Sequence, residues 1–237
     1  MEIKCIKLNE MIECVCQSNL KVKYLLPNET AHFNIPKDRI VRQEHVIEKA
    51  SDRTHVRCPI FYECGGCDFL HMTYESQLKM KQAYIQDLFV SNDVKVKVSP
   101  VMRSEQPFHY RHKVVLSATT SKKKLRLGLY RENSKQVIPF LDCFIQDKKV
   151  NDVMKTVEEV LNKYKIPAYD IDLESGIIKH VLIRKSHAEQ TMLLVFVTHG
   201  NLLPNAKKMA QEIVKKHPLV QGVVQNIHNK KTRLVLL

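Results

Sequence analysis

Glycine is scarce, with six in 237 residues, and none sits in the Gly-rich strand-to-helix turn on which doubly wound folds rest a phosphate or an adenosyl group. Long apolar runs are missing too. Nothing approaches the roughly 20 residues that cross a bilayer. The amino terminus, Met1 to Lys7, breaks its apolar residues with charges instead of forming the continuous core of a secretory signal. No low-complexity tract or internal repeat is evident. These absences predict a soluble, cytoplasmic, globular protein with no membrane partner, and 44% hydrophobic residues supply its core. Acidic residues are outnumbered, 25 against 38 Lys and Arg, for a formal charge of +13 and a pI near 9.4. Such an excess favours polyanions, because binding one releases its condensed counterions. The basic residues recur in every third of the chain, so they belong to folded surface rather than to a tail.

Seven cysteines, an odd number without an export signal, read as thiols or metal ligands rather than disulfides. Cys14 and Cys16, at alternate positions of an expected strand, read as small apolar packing. Cys58, Cys64 and Cys67 lie within ten residues, as C-x5-C-G-G-C. Gly65 and Gly66 let the backbone fold tightly enough for several sulfurs to converge. Three thiolates leave a metal centre one ligand short, and Cys143, after the strand-like Gln136 to Leu141 run, is the candidate fourth. Arg53, Arg57 and Lys113 are cations that would hold thiolate charge if they lie close. Four thiolates suit zinc as well as iron and sulfide, although zinc sites more often show two separate C-x2-C knuckles.

The pattern of elements predicts an α+β protein: a small antiparallel β-barrel over residues 1–50, then a central α+β domain over 51–237 with an antiparallel sheet. Short strands are expected at Ile3 to Lys7, Ile12 to Cys16, Lys21 to Leu25 and Ala31 to Ile35, with a linker around Glu48 to Arg53. The segment Cys58 to His71 reads as irregular, and Thr73 caps a helix with an imperfect apolar face. Strands follow at Val94 to Val98, Lys113 to Ala118, Leu125 to Tyr130 and Gln136 to Phe140, with Ser121 to Lys124 as a hairpin turn. Val150, Val153, Met154, Val157, Leu161 and Tyr164 repeat at helical spacing. Ile177 to Arg184 and Met192 to Thr198 read as strands, Asn205 to Lys216 as a helix, and Val220 to Ile227 with Leu234 to Leu237 as a closing hairpin.

Cys58-x5-Cys64-Gly-Gly-Cys67 followed by Leu70-His71 and Tyr74-Glu75-Ser76-Gln77-Leu78 resembles the cluster segment of the RNA uracil-5-methyltransferases, especially the branch acting on 23S ribosomal RNA. Tyr110-Arg111-His112-Lys113-Val114, Gly128-Leu129-Tyr130, Gly176 to Arg184 and Val224-Gln225-Asn226-Ile227 extend the likeness over nearly the whole chain. The resemblance implies a 4Fe-4S cluster on Cys58, Cys64, Cys67 and Cys143, and an RNA-binding barrel of the TRAM type at the amino terminus. Three positions depart from the family pattern: Asn28 replaces a glycine, Leu70 a glutamine and His112 an asparagine. The family's S-adenosylmethionine site and nucleophilic cysteine belong to a Rossmann-like catalytic domain, and neither has a counterpart here: no Gly-rich strand-to-helix turn suits an adenosyl group, and no cysteine follows Cys143. No catalytic residue can be named.

The expected function is therefore the RNA-binding, cluster-carrying portion of a 23S rRNA (uracil-5-)-methyltransferase, with ribosomal RNA and a separate catalytic polypeptide as partners. The alternatives are a stand-alone RNA-binding module and a zinc-stabilised interaction domain. Arg111, Lys113, Arg131 and Arg184 are the candidate phosphate contacts. His71 is a candidate substrate contact or, alternatively, an imidazole packed against the cysteine loop.

Overall fold

The computed structural model describes residues 2–9, 12–17, 19–32, 39–230 and 235–236, which form two compact units, Met1–Pro107 and Phe108–Leu237. In the first unit the alternating apolar residues of the amino terminus make strands β1 (Glu2–Leu8), β2 (Cys14–Cys16), β3 (Lys21–Val22), β4 (Thr30–His32) and β5 (Val46–Glu48). They pair antiparallel in the order β3-β2-β1-β4-β5. The barrel expectation is corrected: β3 and β5 are edges, and among the described residues the sheet stays open. β5 ends where the expected linker begins, and residues 33–35 of the expected Ala31 to Ile35 strand fall outside the described residues.

One face of this sheet buries Ile3, Cys5, Cys14, Cys16, Val22, Leu25, Ala31, Val41 and Val46. The expectation that no cysteine is paired is also corrected, because Cys5 and Cys14 form a disulfide. β1 and β2 bring their Cα atoms to 5.7 Å, within the roughly 4.4–6.8 Å that a disulfide bridges. Cys14 and Cys16 do share the buried face, their sulfurs 3.6 Å apart. Burial pushes the Cys16 thiol pKa up, because the thiolate would lose its hydration.

The turn into β4 is locked by Glu29, whose side chain is fully buried. Its carboxylate accepts from Leu26 N at 2.8 Å and Ala50 N at 3.2 Å, and from both Nε and an Nη of Arg53. Arg53 also donates to Tyr24 O at 2.8 Å. Beyond it, residues 52–54 are laced to 71–73 by Thr54 N to His71 O and Thr73 N to Asp52 O, closing the base of the cysteine segment. That segment is less irregular than expected, since it contains the one-turn helix α1 (Phe61–Cys64), ended by Gly65 at φ 61°. Thr73 caps α2 (Tyr74–Ser91), its hydroxyl accepting from Ser76 N. Val94 to Val98 joins no sheet among the described residues.

The second unit is built on β6 (Lys113–Ser121), β7 (Lys124–Tyr130), β8 (Val137–Pro139), β9 (Ile178–Lys185), β10 (Met192–Thr198) and β11 (Val220–Ile227), in the order β11-β10-β9-β6-β7-β8. Helices α3 (Lys148–Lys163) and α4 (Ala206–Lys216) pack on it. The helical repeat is borne out: Val150, Val153, Met154, Val157 and Leu161 are all buried. α3 is tied to β7 through Leu125 N to Asn162 Oδ1 and Leu127 N to Glu158 Oε2. Gly128 is required where β8 crosses, because a Cβ there would meet Ile138 O at 2.2 Å. The expected strand Val220 to Ile227 is borne out as β11, which pairs parallel with β10 because the intervening α4 returns the chain to run the same way; of its expected hairpin partner, Leu234 to Leu237, only Val235 and Leu236 are among the described residues. Residues 231–234 and 237 lie outside the described residues.

Removing one partner of a buried ion pair strands the other, at about 3–5 kcal/mol. Glu29→Ala and Arg53→Ala should each cost this much in urea denaturation of the whole chain, and Glu29→Ala with Arg53→Ala together should cost less than the sum of the two. Additive losses would show that the pair does not act as a unit.

Candidate nucleic-acid interface and cysteine segment

In the first unit, Tyr24, Val56 and Phe61 make a small buried cluster against which Cys58, Tyr62, Cys67 and Leu70 pack. Phe61 lies 4.6 Å from the Tyr24 ring, 5.0 Å from Tyr62 and 5.7 Å from the His71 ring, centroid to centroid. Tyr62 is anchored in turn, its hydroxyl accepting from Gln43 N at 3.0 Å. Cys58 and Cys67 are thus seated on the same aromatic base, and Cys64 ends the helical turn between them. The Cys64 sulfur accepts a hydrogen bond from Gly66 N at 3.4 Å, the kind of backbone support that a thiolate ligand takes. Sulfur donors at this spacing fit an iron-sulfur or zinc centre in chemistry. In arrangement they fall short, because among the described residues no three His, Cys, Asp or Glu side chains are gathered to hold a metal ion.

His71 is buried, 3% exposed, and burial together with the nearby Arg53 cation lowers its pKa to about 3. It is a neutral packing residue at neutral pH, the second of its two expected roles.

Cys143 belongs to the second unit, where its segment is fixed from two sides. Asn151 Nδ2 on α3 donates to Cys143 O at 3.1 Å. On the other side, His109 N donates to Phe144 O and Arg111 N to Ile145 O, so residues 144–147 run beside the approach to β6.

The same region holds the basic residues singled out from sequence. Lys113 and Arg184 are direct register partners across β6 and β9, and both are exposed. Arg111, also exposed, lies two residues upstream of Lys113. β7 and β9 both run antiparallel to β6, so the start of β6, the end of β9 and Arg131 just past the end of β7 share one end of the sheet. All four predicted cations therefore gather there, Arg131 half-buried. Lys185 takes the opposite face and pairs with Asp147, Nζ to Oδ2 at 2.6 Å. Burial raises the Asp147 pKa, but hydrogen bonds from Lys185 and from the Lys149 and Val150 amides outweigh it and leave the carboxyl below its usual range.

Two residues were missed from sequence: Tyr110, 58% exposed, and Tyr130, 46% exposed, which adjoin Arg111 and Arg131. The available signal was the repeated aromatic-basic dipeptide, Tyr110-Arg111 and Tyr130-Arg131. Exposed aromatics beside cations offer unpaired bases a stacking surface. Among the described residues, no helix is long and apolar enough to cross a membrane.

No family model matches the chain. It is 30% identical over 224 residues to an uncharacterized RNA methyltransferase of Oceanobacillus iheyensis, covering 92% of this chain and 48% of that protein. An uncharacterized RNA methyltransferase of Halalkalibacterium halodurans is 32% identical over 193 residues, 81% of this chain and 42% of that protein. Among solved structures, the Pyrococcus abyssi tRNA (uracil-54, C5)-methyltransferase in complex with S-adenosyl-L-homocysteine superposes with a TM-score of 0.72 at 19% identity, over 100% of this chain and 53% of that one. The chain spans about half the length of the curated relatives it matches.

The depressed His71 pKa has a definite consequence. Its unfolded form binds a proton below the ordinary value of 6.5, whereas the folded form resists protonation until about 3. The stability it confers is complete above pH 6.5 and is lost as pH falls toward about 3. Melting temperature should therefore decline through this window, and His71→Leu, which keeps the apolar contact without the titration, should flatten the decline. An unchanged slope would mean that His71 is not the group responsible.

Proposed function

We propose that this chain is the RNA-gripping portion of an RNA (uracil-5-)-methyltransferase acting on 23S ribosomal RNA. It carries a 4Fe-4S cluster on Cys58, Cys64, Cys67 and Cys143, and a TRAM-like RNA-binding element within residues 1–50. Methyl transfer from S-adenosylmethionine to uridine C5 belongs, in this reading, to a Rossmann-like catalytic half in the same or another polypeptide. The observation that carries the RNA assignment is the exposed, opposed pair Lys113 and Arg184. Like charges directly opposite across a sheet destabilise it. A phosphate backbone offsets that cost and turns the repulsion into affinity. The resemblance of the cysteine spacing, and the relatives named as RNA methyltransferases, favour this polyanion over others. The cluster assignment draws on thiolate chemistry and on the Gly66 N–H directed at Cys64; its role is to hold the RNA-facing surface in place.

Binding of a 23S rRNA fragment, titrated against salt, tests the grip. Lys113→Ala and Arg184→Ala should each weaken binding at all salt concentrations and reduce the logarithmic salt slope by about one. They should leave the melting temperature unchanged or slightly raised, because a repulsion is removed. Tyr110→Ala and Tyr130→Ala should weaken binding with the salt slope intact, since stacking releases no counterions. Equal affinity in all four variants would defeat the assignment of this sheet end to RNA. For the cysteines, anaerobically purified protein should be brown and contain iron and acid-labile sulfide, and Cys143→Ser should lose the iron. Zinc in their place would remove the cluster from the proposal and leave the RNA grip to stand alone.

A further inference from the structure

The segment 74–98 has the surface of an element whose partner lies elsewhere. α2 runs for 18 residues, yet Ser76 is the one residue it buries. An isolated helix of that length is marginal in water, and helices in proteins are held mainly by an apolar stripe packed on a neighbour. Here Tyr84 (46%), Ile85 (38%) and Leu88 (46%), which share a face at i, i+1 and i+4, are exposed. The chain then turns at Asp93, φ 56°, into Val94-Lys95-Val96-Lys97-Val98, where Val94 and Val96 are 41% and 51% exposed. This stretch alternates like a strand but belongs to neither sheet of the described residues. α2 holds it on one side: Gln86 Nε2 donates to Val96 O, Val98 N donates to Gln86 Oε1, and Gln82 Nε2 donates to Val98 O, all within 2.9–3.0 Å. The main-chain groups of Lys95 and Lys97 make no hydrogen bond among the described residues, so the other side is open to a strand partner.

We propose that α2 and residues 94–98 form one docking surface for the half of the RNA methyltransferase relatives that this chain does not match. The 94–98 segment adds to a sheet edge of that half, and Tyr84, Ile85 and Leu88 pack on the face of the same sheet. A strand with its own helix is the unit by which an α/β sheet is extended and covered. The occupant follows from length and charge. The chain accounts for 48% and 42% of two relatives, so roughly half of each is polypeptide without a counterpart here. A second copy is opposed by a net charge of +13 on each chain and by Lys95 and Lys97 within the surface itself. The inference rests on the methyltransferase reading for the identity of that half, not for the existence of the surface.

Hydrogen-deuterium exchange tests it, using the full chain alone and mixed with the unmatched half of the Halalkalibacterium halodurans relative, once circular dichroism and a cooperative melt show that half to be folded by itself. The mixture should bind, with new protection over residues 84–98. Leu88→Asp with Val96→Asp, both at exposed positions, should weaken binding by on the order of tenfold or more while circular dichroism stays unchanged. Leu173→Asp, at a residue 74% exposed in the second unit, should have no effect. Absence of binding, binding without protection of 84–98, or protection that appears in the chain alone as its concentration rises would overturn the proposal, the last by assigning the surface to self-association. RNA binding by the chain alone is measured separately, so loss of the RNA reading and loss of this surface give different results.

Discussion

The buried ion pair between Glu29 and Arg53 is the constraint on which the first unit depends. A carboxylate with no exposure survives only if its charge is matched and its lone pairs are filled. Glu29 meets both conditions, with Leu26 N, Ala50 N and two nitrogens of Arg53 around it. These contacts reach from the turn before β4 to the residues just ahead of the cysteine segment. Arg53 carries the effect further, because its cation helps to keep His71 neutral, and a neutral His71 can remain against Phe61 and Tyr24. The aromatic cluster so preserved is the one that seats Cys58 and Cys67. Electrostatics at one buried carboxylate thus determines where two sulfurs can stand.

The second unit distributes its cations by the opposite logic. Arg184 and Lys185 are neighbours on β9, and the two-residue alternation of a strand sends them to opposite faces. Lys185 is 7% exposed and finds Asp147, which at the same time caps α3 through Lys149 N. Arg184 stays in solvent opposite Lys113. One cation serves the fold and its neighbour is a burden on it, although the same strand could carry a neutral residue at position 184. Sheets hold such opposed charges when a ligand compensates them, and the exposed tyrosines at the same end suit a ligand with both phosphates and flat bases.

Periodicity was the legible part. The strands of the second sheet, the α3 stripe and the Thr73 cap follow from spacing and from one hydroxyl. Partnership was not legible. That β11 lies parallel to β10 depends on α4 carrying the chain back across the sheet, and no residue in Val220 to Ile227 encodes direction. The disulfide depends on β1 and β2 placing Cys5 beside Cys14, whereas the sequence shows only two cysteines nine residues apart. The four cations were readable as candidates one at a time. Their convergence required the strand order, since Arg111, Arg131 and Arg184 are far apart along the chain. Tyr110 and Tyr130 figure in the sequence only as parts of family-like segments, and their exposure depends on the sheet end that the strand order creates.

Residues 94–98 show where local pattern and surroundings disagree. Valine at alternate positions is a strong strand signal, but a strand is a relation between two chains of hydrogen bonds, and here one side of the relation is supplied by glutamine side chains. Natural sequences keep local preference and global environment consistent. A stretch that reads as a strand without pairing, after an 18-residue helix that buries a single side chain, breaks that consistency twice in 25 consecutive residues, 74–98. Two independent local errors would fall at unrelated places in the chain. Two adjacent ones, joined by three hydrogen bonds, are what one docking surface produces, since neither element finds its partner among the described residues.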